Sequence, residues 1–188
     1  VVGLDDAKYE QLADKVQAHF QKFWNAETGY CFDVIEGEDG HDAALRPNQL
    51  FAVSLPYSPL SPAQQKAVVD ACTRDLLTPH GLRSLSPQHA DYHGVYGGDR
   101  VTRDGAYHQG TTWGWLIGPY VAAHLRVYHD KALARSFLEP LLRQLNDHCV
   151  GSLSEVFDGA APYTPRGCNA QAWTVAEVLR CWALTAEA

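Results

Sequence analysis

Tyr107 to Trp115 reads Y-H-Q-G-T-T-W-G-W and leads without a break into Leu116, Ile117, Tyr120, Val121 and Leu125. Polar donors and two tryptophans stand in front of a helix that is apolar on nearly every face. A helix apolar all round belongs inside a fold, not on its surface. The same order occurs twice more. Arg46-Pro47-Asn48-Gln49 precedes Leu50, Phe51, Ala52, Val53 and Leu55, with Pro47 suited to a first helical turn. P-R-G-C-N-A-Q-A-W, from Pro165 to Trp173, opens a run rich in Ala, Val, Trp and Leu, which predicts a mostly buried helix from about Asn169 to Glu187. The three polar entrances begin near Arg46, Tyr107 and Arg166, about 60 positions apart, which is long for the common solenoid repeats.

Amphipathic stretches fill the intervals. Tyr9, Leu12, Val16, Phe20 and Phe23 recur at spacings of three and four, so a one-sided helix is predicted from a cap at Asp5 or Asp6 to about Asn25. Ser61-Pro62 with Gln64 is a capping-box pattern, followed by the stripe Ala67, Val68, Ala71, Cys72 and Leu76. Leu133, Phe137, Leu138, Leu141, Leu142 and Leu145 mark a third amphipathic helix over about Lys131 to Cys149, which Pro140 should kink or restart. Tyr30 to Ile35 is a short strand or extended loop. Gly81 to Tyr107 is a long polar loop, ordered by Tyr92, Tyr96 and Tyr107, of the kind that is often functional. Six helices thus alternate between amphipathic and buried. The expected fold is all-α: three helical hairpins in one domain over 1–188, buried helices inside and amphipathic ones outside, half of a six-hairpin toroid.

The charge balance narrows the partners. Net charge is −7 with no basic cluster, so nucleic acid is not an expected partner. No apolar run reaches the roughly 20 residues that span a bilayer, so no membrane association is expected. There is no signal-peptide pattern and no Met at the start, and the chain reads as a piece of something longer. The five cysteines are scattered, odd in number and free of C-x-x-C, which points to a reducing cytoplasm rather than zinc or a disulfide framework. His89 and His93 share i, i+4 spacing but sit in loop sequence, so no metal is expected. No P-loop, HExxH or G-x-S-x-G occurs, and no cofactor is expected.

If the inner helices run the same way, their entrances converge at one end. Arg46, Asn48, Gln49, His108, Gln109 and Arg166 would offer directional hydrogen bonds there. Tyr107, Trp113, Trp115 and Trp173 would offer flat faces, and together these suit a carbohydrate. Each has a plainer reading. Trp115 and Trp173 read as core rather than platform, Arg46 and Arg166 as tied to a carboxylate such as Asp42 or Asp158, and His108 as a satisfied loop histidine. Gly151 to Gly159, G-S-L-S-E-V-F-D-G, carries Glu155 between small residues and Phe157-Asp158. Glu155 is either a solvated loop carboxylate or one poised to take a proton from water.

R-P-N-Q-L-F-A-V-S-L-P, Y-H-Q-G-T-T-W-G-W-L-I-G-P, G-S-L-S-E-V-F-D-G and P-R-G-C-N-A-Q-A-W-T-V-A-E-V-L-R resemble the C-terminal catalytic domain of the amylo-α-1,6-glucosidase (glycogen debranching enzyme) family. So does G-L-R-S-L-S-P with Tyr92 and Tyr96. The resemblance runs from about Gly29 to the end, in several separated motifs in order. It implies an (α/α)6 toroid of the six-hairpin glycosidase type and inverting hydrolysis of α-1,6-linked glucose at the branch points of glycogen or a similar glucan. Glu155 takes the position of the family's base. Arg46, Asn48, Gln49, Tyr107, His108, Gln109, Trp113 and Arg166 become the expected glucose-binding residues. The family's acid, an Asp in a T-W-M-D-like motif, has no counterpart here, and Asp33, Asp39, Asp42 and Asp104 do not replace it. The chain then reads as the C-terminal half of the domain, inactive alone, with open edges that invite self-association. A non-catalytic glucan-binding module, or a six-hairpin glycosidase of another linkage, are the alternatives.

Overall fold

Residues 6–186 are described in the structure, a computed structural model. Asp5 and Glu187, named above as helix limits, lie outside them. Helix α1 (Ala7–His19) continues into a 3-10 turn at Phe20–Phe23. Asp6 precedes α1 without a side-chain cap. Two hairpins follow, β1 (Trp24–Asn25) with β2 (Tyr30–Cys31), and β3 (Val34–Gly37) with β4 (Gly40–Asp42). A 3-10 turn at Pro47–Leu50 opens the short α2 (Phe51–Ser54). Helix α3 (Pro62–Asp75) carries the capping box as read: the Gln64 N–H donates to Ser61 Oγ, and Gln64 Oε1 accepts from the Ser61 N–H at 2.9 Å.

Strands β5 (Leu77–Thr78) and β6 (Gly81–Arg83) come next, then α4 (Arg100–Ala106), which Asp99 caps by accepting from the Thr102 N–H at 2.9 Å. The stretch 81–107 is therefore not all loop. Strand β7 (Thr112–Trp113) and a 3-10 turn at Gly114–Leu116 lead into α5 (Ile117–Tyr128). The predicted fifth helix is divided into α6 (Lys131–Ser136), α7 (Glu139–Arg143) and a 3-10 turn at Gln144–Asn146. Pro140 sits in the first turn of α7, where its missing N–H is harmless; inside one continuous helix its ring would strike the carbonyl of Ser136. Strands β8 (Val156–Phe157) and β9 (Pro165–Arg166) and helix α8 (Ala172–Leu184) complete the chain.

Helix α5 is central and packs on α2, α3 and α8. Ile117, Tyr120 and Val121 on α5 join Val68, Val69 and Cys72 of α3 and Leu76 just past it, with Leu138, Leu141 and Phe157, in one fully buried cluster. Each such side chain contributes on the order of 1.5–3 kcal/mol by leaving water. Tyr120 keeps its hydroxyl satisfied inside, 2.9 Å from Thr73 Oγ1.

Two expectations are corrected. The fold is not helices alone: β5 to β9 form a five-stranded antiparallel sheet in chain order, with Leu82 opposite Trp113, Thr112 opposite Phe157 and Val156 opposite Arg166. Strands of two or three residues are too short to print an alternating pattern. The second and third polar entrances are thus sheet strands, and α8 begins at Ala172, past Arg166. The last helix is also less buried than its composition predicts. Only Thr174, Val178 and Cys181 of α8 are buried, while Trp173 is 62% and Leu179 63% exposed. Helix α1 has no buried residue, so Tyr9, Leu12 and Val16 face solvent. An apolar face is buried only where another element covers it, and among the described residues none covers these.

Candidate functional site

The sheet fixes Glu155 from both sides. Its carbonyl accepts from the Gly114 N–H at 3.2 Å, beside β7, and its own N–H donates to the Cys168 carbonyl at 3.1 Å, beyond β9. Both carboxylate oxygens are held. Oε1 accepts from the Tyr107 hydroxyl at 2.7 Å and Oε2 from the Cys168 N–H at 3.0 Å. Gly167 makes the second bond possible: its φ is +72°, and a Cβ there would lie 2.5 Å from Oε2. Partial burial by itself would push the Glu155 carboxyl up. The Cys168 N–H and the Tyr107 hydroxyl, joined by the side chains of Cys168 and Gln171, outweigh it and hold Glu155 below its ordinary value. Glu155 is therefore a half-buried carboxylate, ionised at neutral pH, with lone pairs left to accept a proton.

Asp158 is buried and neutralised next to it. Arg166 Nη2 lies 3.1 Å from its Oδ2, and the Tyr96 N–H donates to Oδ1 at 2.8 Å. Arg166 thus serves the ion-pair role read from the sequence. So does Arg46, but with a different partner. Its Nε pairs with Asp33 at 3.2 Å, and its amino groups donate to the carbonyls of Ser84 (3.1 Å) and His108 (2.6 Å) and to Gln109 Oε1 (2.5 Å). Asp42 instead accepts from the Ala44 N–H at 2.8 Å. Gln49 is used inside the fold: it accepts from the Cys31 N–H at 3.1 Å and donates to the Arg46 carbonyl at 3.2 Å.

A cleft of about 690 Å³ opens beside this framework. Arg46, Asn48, His108, Gln109 and Trp113 line it together with Trp173, so five of the predicted binding residues converge. Glu155, Gln49, Tyr107 and Arg166 do not line it. Tyr107 bridges the two places: its hydroxyl is on Glu155, and its ring lies 4.5 Å from that of Trp113. Trp113 is less free than a stacking platform would be. Its indole N–H donates to the Tyr107 carbonyl at 3.0 Å, and His108 stacks parallel to it at 5.4 Å. Trp173 is the more exposed face, set edge-on to Trp115 at 5.5 Å, which overturns its reading as core.

Two carboxylates reach the cleft, Asp33 and Asp104. Asp33 is held by Arg46 and by Asn48 Nδ2 at 3.3 Å, and Asp104 pairs with Arg100 and Arg103. Each is tied to a guanidinium. Among the described residues no cluster of three His, Cys, Asp or Glu side chains is built to hold a metal. Sequence reasoning missed the Cys168 N–H and Asp33. A backbone donor leaves no side-chain signal, although Gly167 marks the turn that aims it. Asp33 meets Arg46 and Asn48 only through the β3–β4 hairpin, which no motif announces.

The family model for amylo-alpha-1,6-glucosidase matches residues 1–180. Among solved structures, neutral trehalase from Saccharomyces cerevisiae is similar, with a TM-score of 0.62 at 16% identity over 95% of this chain. At that identity the likeness is one of fold. The match takes in 30% of the trehalase chain, so this chain spans less than a third of that protein's length.

Proposed function

Since the chain belongs to the amylo-alpha-1,6-glucosidase family, we propose that it is part of an inverting glycoside hydrolase that releases glucose from the α-1,6 branch points of glycogen-like glucans. The observation that carries this reading is Glu155, ionised and gripped at both oxygens by the Tyr107 hydroxyl and the Cys168 N–H. As general base it takes a proton from water while the water oxygen bonds to the anomeric carbon and the glycosidic C–O bond breaks. The departing oxygen needs a proton from an acid roughly 6.5–9.5 Å from the base. The two carboxylates at the cleft are bound to arginines, which supports an acid supplied from outside residues 1–188. Asn48, His108, Gln109 and Trp173 contact the sugar; Arg46 and Trp113 shape the cleft wall, while Gln49 and Arg166 brace the fold away from it.

The likeness to a trehalase and the uncovered apolar side chains just past α2 and on α8 support half of an (α/α)6 toroid, 1–188 being the C-terminal part of one domain. Its open edge is covered by further chain or by a second copy. The unpaired cysteines suit a cytoplasmic setting.

Glu155→Gln tests the base in the enzyme that carries this chain together with its acid. It keeps the side-chain shape and the bond from the Cys168 N–H, with the Tyr107 hydroxyl turned to accept from the new amide, and should lower kcat by at least about 10². Retained activity rejects Glu155 as base. A second reading, a non-catalytic glucan-binding module, is favoured by the arginine-bound carboxylates. Binding of a branched dextrin with full affinity and no turnover in any longer form of the protein would establish it. Rapid glucose release by 1–188 alone would reject the missing acid.

A further inference from the structure

We propose that Tyr107 is a positioning residue for Glu155 and not a contact to the sugar. The inference rests on Glu155 being the base. The Tyr107 hydroxyl has one proton, and it points along a 2.7 Å bond to Oε1. A donor so engaged has none left for a sugar hydroxyl. The ring is fixed by three neighbours, Tyr96 at 5.2 Å, His108 at 4.9 Å and Trp113 at 4.5 Å. The Tyr107 carbonyl is fixed as well, by the Trp113 indole N–H at 3.0 Å. The ring, the carbonyl and the hydroxyl proton are all engaged within the protein, and Tyr107 does not line the cleft.

The chemistry of the bond gives Tyr107 its work. Among the described residues no cation pairs with Glu155; its two oxygens are met by neutral donors. Cys168 contributes its backbone N–H at 3.0 Å; among the side chains that act on Glu155, which include those of Cys168 and Gln171, Tyr107 makes the 2.7 Å bond to Oε1. It orients the carboxylate plane from the Oε1 side, while Gly167 and Cys168 set it from the other. Its phenol stays a donor throughout, because burial first and then the Glu155 charge push its ionisation up. The same ring packs on Trp113 and His108, which do line the cleft. Tyr107 therefore ties the wall of the cleft to the orientation of the base.

Tyr107→Phe keeps all three ring contacts and removes only the donor. The side-chain carboxyl of Glu155, followed by carbon-13 NMR and assigned by the signal missing in Glu155→Gln, should titrate about one pH unit higher. The acid limb of the pH profile of glucose release, measured in the enzyme that carries this chain with its acid, should rise by the same amount, with KM little changed. Should Tyr107→Phe fail to fold, 3-fluorotyrosine at position 107 is the second probe. It donates more strongly and should lower the Glu155 midpoint. An unmoved Glu155 titration in the folded variant overturns the positioning role, as does a raised KM with an unmoved profile. A shifted titration with an unmoved acid limb leaves the positioning role standing and removes Glu155 as the base.

Discussion

Arg46 and His108, 62 positions apart, are joined by a 2.6 Å hydrogen bond from the Arg46 guanidinium to the His108 carbonyl. The same guanidinium reaches Asp33, Ser84 and Gln109, so one side chain ties four segments around the cleft. A planar fork of five donors can do this; an ammonium cannot hold the same directions at once.

Arg46→Lys should therefore destabilise the chain by about 1–3 kcal/mol, because the Asp33 carboxylate and two carbonyls lose their donor. The pair is largely shielded, with side chains 19% and 18% exposed, so solvent screens only part of the loss. Denaturant unfolding measures it. A change under about 0.5 kcal/mol would show that Arg46 is free to serve the ligand instead.

His124 sets a pH limit on stability. It lies inside α5 against Tyr128 (4.7 Å) and Phe137 (5.0 Å), and among the described residues its Nδ1 has no hydrogen-bond partner. Burial pushes its ionisation below the ordinary value of 6.5, with Asp130 opposing. The unfolded chain then binds the proton more tightly than the folded one. The stabilisation is complete above pH 6.5 and is lost as pH falls toward the lowered folded value. His80, likewise pushed down by burial with Asp147 opposing, adds to the same window. His124→Phe keeps the aromatic packing and should reduce the drop in Tm between about pH 7 and pH 5. Thermal melts at the two pH values decide it, and equal drops in both proteins would refute the assignment.

Leu55, just past α2, and Trp173, Leu179, Trp182 and Leu184 of α8 stand in the open. Exposed apolar side chains of this size favour association unless something covers them. Residues 1–188 alone should sediment as a concentration-dependent oligomer, and Trp173→Ser with Leu179→Ser should shift it toward monomer. A wild-type chain that stays monomeric at about 100 μM would remove the open-edge reading.

Helix α3 was fully legible, since Ser61, Pro62 and Gln64 are local signals and the stripe behind them has the helical period. Pro140 announced the division of α6 from α7 for the same reason. Helix α8 was misjudged because composition reports how apolar a helix is and not whether a partner covers it. The sheet went unread because Thr112–Trp113, Val156–Phe157 and Pro165–Arg166 are pairs of residues, and their pairing is decided by neighbours far along the chain.

Sequence by itself determined where the polar entrances fall, which helices are apolar, that Glu155 stands in a motif of its own, and that the motifs run in the order of one family. Those properties are carried by adjacent residues and by spacings of three and four. Only the tertiary structure decided that Arg46 pairs with Asp33, that Tyr107 and the Cys168 N–H hold the two oxygens of Glu155, and that Trp173 and not Trp113 offers an open face. Hydrogen bonds and ring contacts act over about 3 to 6 Å. Across 13 to 48 positions of chain, that proximity exists only once the tertiary fold has brought the segments together.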